Sequence, residues 1–227
     1  MKNDIFRRIE EKYFISQDQF NTLLTEIKDY IKKDDYYKSN ILNIYFDNNN
    51  DEILIRSGDK PIYKDKVRLR SYNTPTLNDY VFLEIKSKYK GITGKRRIKM
   101  KLSDFYDYIN NNKINNTQIM EEIDYLFKYS DLKPSYFVGY DRLSFKGIDN
   151  PGLRITFDNN LRSRKDNLKL EEGDYGNLFF DDNRLIMEIK TLDSMPLWLT
   201  NALSKLKIYP ISFSKVGEIY KKEMVKC

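Results

Sequence analysis

The sequence predicts an α+β domain built on a large, mainly antiparallel sheet or barrel of eight or nine strands, flanked by four helices. Three observations lead there. Many segments alternate apolar and charged residues with the period of two that marks strands buried on one face. Four other segments carry apolar stripes at helical spacing. The polar face of the strands repeats Lys and Arg on neighbouring positions, where a solvent-washed face normally mixes both signs with Ser, Thr and Gln.

The helices have clear beginnings. Ser16-Gln17-Asp18-Gln19 reads as a capping box, with Ile15 and Phe20 as a hydrophobic staple. Phe20, Leu23, Leu24, Ile27 and Ile31 then form one stripe. A second helix starts at Ser103, and a third carries Ile119, Ile123, Leu126 and Phe127. A fourth has Pro196 in its first turn and Trp198, Leu199, Ala202, Leu203 and Leu206 on one face. Strands fall near 7–15, 40–47, 64–72, 80–89, 95–102, 135–146, 152–159, 184–191 and 211–219. With no linker and no repeat, residues 1–227 read as a single domain.

Each strand has a charged side. Arg8, Glu10 and Lys12 oppose Ile9, Tyr13 and Ile15; Lys66, Arg68 and Arg70 oppose Val67 and Leu69. Glu84, Lys86 and Lys88 oppose Leu83 and Ile85, and Lys95, Arg97, Lys99 and Lys101 oppose Ile98, Met100 and Leu102. Arg142 stands against Leu143 and Phe145, Arg154, Thr156 and Asp158 against Ile155 and Phe157, and Glu188 and Lys190 against Met187 and Ile189. If the sheet curls with this side inward, the cations converge. Each like-charge pair at ~7 Å and an effective dielectric of ~20 costs roughly 2 kcal/mol, more than a few carboxylates can offset. Such repulsion suits a space filled by a polyanion. Arg serves bidentate phosphate contacts and Lys point-charge ones. Glu10, Glu84 and Glu188 would hold Mg²⁺ or Mn²⁺ bridging the phosphates.

Composition narrows the chemistry. Of 227 residues, 40 are basic and 34 acidic, a net charge of +6 that makes polyanions plausible partners and no more. There is no His, and the single Cys is Cys227, which excludes a Cys/His zinc site, a Cys–His dyad and a Ser–His–Asp triad. The 14% aromatic content argues for a folded chain with a core rich in Tyr and Phe. No segment approaches the ~20 uncharged residues of a membrane span, and the charged start has no secretory apolar region, so the expected location is cytoplasmic. Two tempting motifs fail. Gly91-Ile92-Thr93-Gly94-Lys95 lacks the spacer of a phosphate-binding P-loop and runs into a strand, so it reads as a hairpin turn delivering Lys95. The basic residues lie within alternating strands and not in a tail or an RNP-like motif, so nucleic acid is not the expected partner.

Nine short motifs, in order, resemble those of VTC domains: Arg8-Ile9-Glu10-Glu11-Lys12-Tyr13, Ile44-Tyr45-Phe46-Asp47, Lys66-Val67-Arg68-Leu69-Arg70-Ser71-Tyr72, Leu83-Glu84-Ile85-Lys86, Gly94-Lys95-Arg96-Arg97, Tyr140-Asp141-Arg142, Leu153-Arg154-Ile155-Thr156-Phe157-Asp158, Met187-Glu188-Ile189-Lys190 and Phe213-Ser214-Lys215. The resemblance runs from about residue 6 to 220. VTC domains are the catalytic part of polyphosphate polymerases, with stand-alone bacterial relatives, and belong to the CYTH-like triphosphate tunnel metalloenzymes. It implies an eight-stranded antiparallel tunnel lined by basic residues and glutamates.

The resemblance also implies roles. Arg68, Arg70, Arg142 and Arg154 would orient the triphosphate and stabilise the transition state. Lys12, Lys86, Lys95 and Lys215 would grip the phosphate chain, joined by Lys66, Arg97 and Lys190 of the charged face, with Arg162 near a tunnel mouth. Glu188 would be the metal-coordinating glutamate and Glu10 a second, with Mn²⁺ or Mg²⁺ as cofactor. Where hydrolytic relatives begin Glu-x-Glu-x-Lys, this chain has Arg8 at the first position, which favours a longer phosphate chain over two-metal hydrolysis. The implied activity transfers the terminal phosphoryl of ATP, or another nucleoside triphosphate, to inorganic polyphosphate. The alternatives are a metal-dependent hydrolase of tripolyphosphate or nucleoside triphosphates, and a non-catalytic polyphosphate-binding module. Any coupling to a membrane would need a partner protein.

Overall fold

The computed structural model describes residues 9–58, 62–90, 92–111, 117–192 and 194–224; Arg8, Gly91 and Cys227 lie outside them. The described residues form nine strands and six helices: β1 (Ile9–Ile15), α1 (Gln17–Ile27), β2 (Ile31–Asp47), α2 (Glu52–Gly58), β3 (Tyr63–Tyr72), β4 (Tyr80–Tyr89), β5 (Ile92–Lys101), α3 (Leu102–Asn111), α4 (Gln118–Ser130), β6 (Lys133–Gly147), β7 (Arg154–Arg164), β8 (Asn177–Leu178), β9 (Leu185–Thr191), α5 (Leu197–Lys205) and α6 (Lys215–Met224). The strands hydrogen-bond in the order β1-β9-β7-β6-β2-β3-β4-β5, with β8 on β7. The paired registers are antiparallel, as expected of this α+β class. Two compact units divide the chain, one from Met1–Ser39, Tyr140–Leu161 and Phe180–Phe213, the other from Asn40–Gly139, Arg162–Phe179 and Ser214–Cys227.

In the first unit the capping box is formed: Ser16 Oγ accepts from the Gln19 backbone N–H at 3.1 Å, and the Gln19 side chain accepts from the Ser16 N–H at 3.0 Å. This fixes the start of α1, whose Phe20, Leu23 and Ile27 enter a core with Leu199, Ala202 and Leu203 of α5. Both helices lie on the apolar sides of β1, β7 and β9, through Tyr13 and Ile15, Ile155 and Phe157, and Leu185, Met187 and Ile189. Phe20 meets Phe157 edge to face at 4.8 Å. Each fully buried side chain of this kind contributes about 1.5–3 kcal/mol relative to an exposed one. The even-numbered residues of the same strands therefore stand on the opposite side.

The second unit repeats the plan. Val67 and Leu69 of β3, Leu83 and Ile85 of β4, and Met100 of β5 pack with Phe105 and Tyr108 of α3 and Met120 and Ile123 of α4. Thr117 caps α4, its hydroxyl accepting from the Met120 N–H at 3.3 Å, and Asp131 ends the helix in the left-handed region at φ 47°. β4 and β5 form the expected hairpin, with Tyr89 opposite Ile92 and Lys95 opposite Lys86.

Three expectations are corrected. Residues 211–219 are not a strand: Ile211 makes an isolated bridge to Lys12, and α6 begins at Lys215. Ser214 accounts for the turn, since its hydroxyl accepts from the Gly217 N–H at 3.3 Å and its carbonyl from the Glu218 N–H at 2.9 Å. Ile31 belongs to β2 and not to the α1 stripe, because α1 ends at Ile27. Pro196 sits at the N-cap of α5, one position ahead of its first turn.

Candidate functional site

The second unit gathers cations around one carboxylate. Glu84 lies in the middle of β4, flanked by Arg68 on β3 and Arg97 on β5, and two residues along the strands, on the same face, are Lys66, Lys86 and Lys95. Glu84 is only 1% exposed. Its Oε2 receives Arg68 Nε at 2.8 Å and Nη2 at 2.7 Å, with Arg70 Nη1 at 4.0 Å. Lys95 Nζ stands 2.7 Å from Oε1 and Arg97 Nη1 4.0 Å from it. Burial pushes the Glu84 carboxyl up, but Arg68 and Arg70 outweigh it and hold it down to about 2. Burial, with Arg68 and Arg70, lowers Lys95 to about 8 against the pull of Glu84, although 41% of its side-chain surface is exposed. Among the described residues, four cations thus stand within 4.0 Å of this one carboxylate.

The guanidinium groups are aimed by neutral partners. Arg68 Nη1 donates to Tyr45 Oη at 3.1 Å, and Arg70 Nε donates to Asn43 Oδ1 at 2.9 Å. Asn43 is itself fixed by donating to the Val138 carbonyl at 2.9 Å. Lys66 Nζ donates to Ser214 Oγ at 3.4 Å, beside Lys215 at the start of α6. Arg162 is buried and donates through Nε to Asp174 Oδ1 at 2.5 Å, while Asn40 Nδ2 holds Oδ2 at 2.6 Å.

The first unit has a second cluster, on the polar side of β1, β9 and β7. Across β1 and β9, Glu10 faces Lys190 and Lys12 faces Glu188; across β9 and β7, Lys190 faces Arg154 and Glu188 faces Thr156. Lys190 Nζ is in contact with Glu188 Oε1 and stands 3.9 Å from Glu10 Oε2, and Lys12 Nζ lies 3.2 Å from Glu10 Oε1. Arg142 grips Asp158 with two bonds, Nε to Oδ1 at 2.6 Å and Nη2 to Oδ2 at 2.8 Å. Burial opposes the Arg142 charge, but Asp158 prevails and pushes the guanidinium up. Arg154 donates through Nε to Ser144 Oγ at 3.1 Å and pairs through Nη2 with Asp34 at 3.1 Å.

The expected residues are thus sorted and not merely collected. Arg68, Arg70, Lys66, Lys86, Lys95, Arg97, Arg162 and Lys215 belong to the second unit, while Lys12, Glu10, Arg142, Arg154, Glu188 and Lys190 belong to the first. Two expectations change. Glu84, expected with Glu10 and Glu188 at the metal, is an ion-pair centre with both oxygens engaged by cations. Asp34, Asp158 and Asp174 neutralise Arg154, Arg142 and Arg162, so carboxylates offset more of the charge than alternation alone suggests. Arg164, which the strand pattern does not single out, is buried between the Phe137 and Tyr175 rings and donates to the carbonyls of Asn167, Lys169, Gly173 and Tyr175. It organises residues 167–175, from which Asp174 reaches Arg162.

The family model described as VTC domain matches residues 7–222. No curated protein matches the sequence. Among solved structures, a candidate adenylate cyclase from Bacillus halodurans is similar with a TM-score of 0.56 and 12% identity, covering 91% of this chain and 93% of its own. A candidate adenylyl cyclase from Hippeastrum, described as revealing a dominant triphosphatase activity, gives a TM-score of 0.54 and 14% identity, covering 96% of each chain. At this identity the likeness shows the fold, that of the triphosphate tunnel proteins. Among the described residues no helix is long and apolar enough to cross a membrane.

Proposed function

The chain belongs to the VTC domain family, and from that premise we propose that residues 1–227 act as a single polyphosphate polymerase domain. It transfers the terminal phosphoryl of ATP, or another nucleoside triphosphate, to inorganic polyphosphate and releases the diphosphate. The observation that carries this reading is Glu84 with Arg68, Arg70, Lys95 and Arg97 around it. A cluster that gathers four cationic side chains in one place is suited to a chain of phosphates.

An oxygen of the acceptor's terminal phosphate forms a bond to the γ-phosphorus as the bridging bond to the β-phosphate breaks. No side-chain nucleophile is needed, in keeping with a chain that has no His. Such transfer rests on positioning and on neutralising charge. Phosphate orientation and transition-state stabilisation are assigned to Arg68 and Arg70 in the second unit, aimed by Tyr45 and Asn43, and to Arg142 and Arg154 in the first, aimed by Asp158 and Ser144. Lys12, Lys66, Lys86, Lys95, Arg97, Arg162, Lys190 and Lys215 hold the phosphates along the chain.

Mg²⁺ or Mn²⁺ takes one or two carboxylates together with substrate phosphates. Glu188 and Glu10, which bracket the Lys190 ammonium, are a donor set of that kind. The ion, when bound, neutralises charge on the phosphoryl oxygens. Hydrolysis, with water as acceptor, is the second reading, favoured by the triphosphatase activity described for the Hippeastrum relative. Labelled ATP with Mn²⁺, resolved on a polyphosphate gel beside a free-phosphate assay, separates them. A ladder of chains lost in Glu188→Gln supports the polymerase, and free phosphate without chains supports the hydrolase.

A further inference from the structure

We infer that Thr156 supplies, through Oγ1, a further oxygen to the divalent cation held by Glu188 and Glu10, making the polar side of β1, β9 and β7 a three-residue cation site. The inference deepens the metal assignment proposed above and rests on it.

Thr156 is 2% exposed, and its hydroxyl has no hydrogen-bond partner. A buried hydroxyl left unmet is costly, and such groups in folded proteins usually await a ligand, ion or water. Its direction is set by the strand. Ile155 and Phe157 enter the apolar core, so Thr156 stands on the other side with Arg154 and Asp158. There it faces Glu188 across the β7–β9 pair, and Glu188 faces Lys12 across the β9–β1 pair. Met187 and Ile189 enter the same core, so Glu188 projects to the side on which Thr156 stands. Directly opposed residues on one face lie within side-chain reach.

Charge separates this cluster from the one around Glu84. Glu10, Glu188, Asp34 and Asp158 are matched here by Lys12, Lys190, Arg142 and Arg154, and Arg142 and Arg154 are already paired with Asp158 and Asp34. On the same side as Thr156 stand Glu188, in contact with Lys190 Nζ, and Glu10, which Lys12 Nζ meets at 3.2 Å and Lys190 Nζ at 3.9 Å. A carboxylate pair that already draws a cationic group, next to a buried oxygen without a partner, fits a hard cation with oxygen ligands. An ammonium needs no hydroxyl ligand, and Thr156 is left unused while Lys190 holds that place.

The test titrates Mn²⁺ alone into the purified full chain and follows the aquo-ion by its paramagnetic resonance signal. Thr156→Val, which keeps the shape and removes the hydroxyl, should weaken Mn²⁺ binding by about tenfold or more. Its melting temperature without metal should stay level or rise, because the unmet hydroxyl is gone. Thr156→Ser should bind close to wild type, and Thr156→Ala should lose affinity as valine does should the valine variant fail to fold. Wild-type affinity in both Thr156→Val and Thr156→Ala overturns the inference, as does a wild-type chain that binds no Mn²⁺. So does a valine variant that binds Mn²⁺ normally but loses tripolyphosphate, which would assign the hydroxyl to a phosphoryl oxygen. Mn²⁺ binding that depends on Thr156 in a chain that makes no polyphosphate keeps this site and removes the polymerase.

Discussion

Arg68 and Glu84 face one another across β3 and β4, and the guanidinium meets a single carboxylate oxygen through two nitrogens, at 2.8 and 2.7 Å. Glu84 thereby becomes the anion on which a group of cations depends. Glu84→Gln takes the negative charge of this carboxylate away from Arg68, Arg70 and Lys95. Breaking a buried pair from one side costs about 3–5 kcal/mol, and urea denaturation should show a loss of that order. Tripolyphosphate should recover part of it by supplying the missing negative charge, and a variant as stable as wild type would remove Glu84 from this role.

The same carboxylate makes stability depend on acid. In the unfolded chain Glu84 protonates near its ordinary value of 4.5, whereas in the folded protein it stays ionised down to about 2. The unfolded state therefore takes up the proton first as pH falls. The stabilisation is complete above about 4.5 and is lost as the pH drops toward about 2. The melting-temperature gap between wild type and Glu84→Gln should accordingly narrow from about pH 6 to about pH 2.5. A gap that stays constant over that range would contradict the assignment.

Lys95 titrates at the other end. Burial, with Arg68 and Arg70 nearby, brings it down to about 8 in the free protein, so it loses its charge as the pH rises through that value. Affinity for tripolyphosphate should fall from about pH 7 to about pH 9.5, and Lys95→Arg, whose guanidinium stays charged, should flatten that limb. Calorimetric titration at several pH values reads this directly, and parallel curves for the two proteins would exclude Lys95 from phosphate binding.

Arg142 is held so firmly that its removal has two consequences. Asp158 is fully buried and depends on both bonds from Arg142. Arg142→Ala should cost about 3–5 kcal/mol by removing both of these bonds from a buried carboxylate. Adding Asp158→Asn should restore part of the stability without restoring phosphoryl transfer. A double variant no more stable than Arg142→Ala would show that the pair is not what holds this region.

The face that each charged residue occupies is legible in the sequence because apolar alternation fixes it, as Lys66, Arg68 and Arg70 against Val67 and Leu69 illustrate. The Ser16 capping box is legible for the same local reason. Which acid meets which base is not, since Asp34 and Asp174 reach Arg154 and Arg162 from elsewhere in the chain. α2 escapes a periodicity reading because seven residues are too few and its start is fixed from outside: the Asp47 carboxylate on β2 accepts from the Ile53 and Leu54 N–H groups. α6 is mistaken for a strand because Ile211-Ser212-Phe213-Ser214, just ahead of it, alternates apolar and polar residues, and the strand reading carries that alternation on past Lys215. Val216 and Ile219, both buried and three residues apart, fit one helical face instead.

In the proposed reaction the terminal phosphoryl of ATP passes to another phosphate and not to water. Phosphorus resonance spectra of the full chain with ATP and Mg²⁺ test it most directly. Internal-phosphate signals should grow as the diphosphate appears, with little orthophosphate, and should be lost in Glu188→Gln. Orthophosphate accumulating in step with the diphosphate, without internal-phosphate signals, would contradict it.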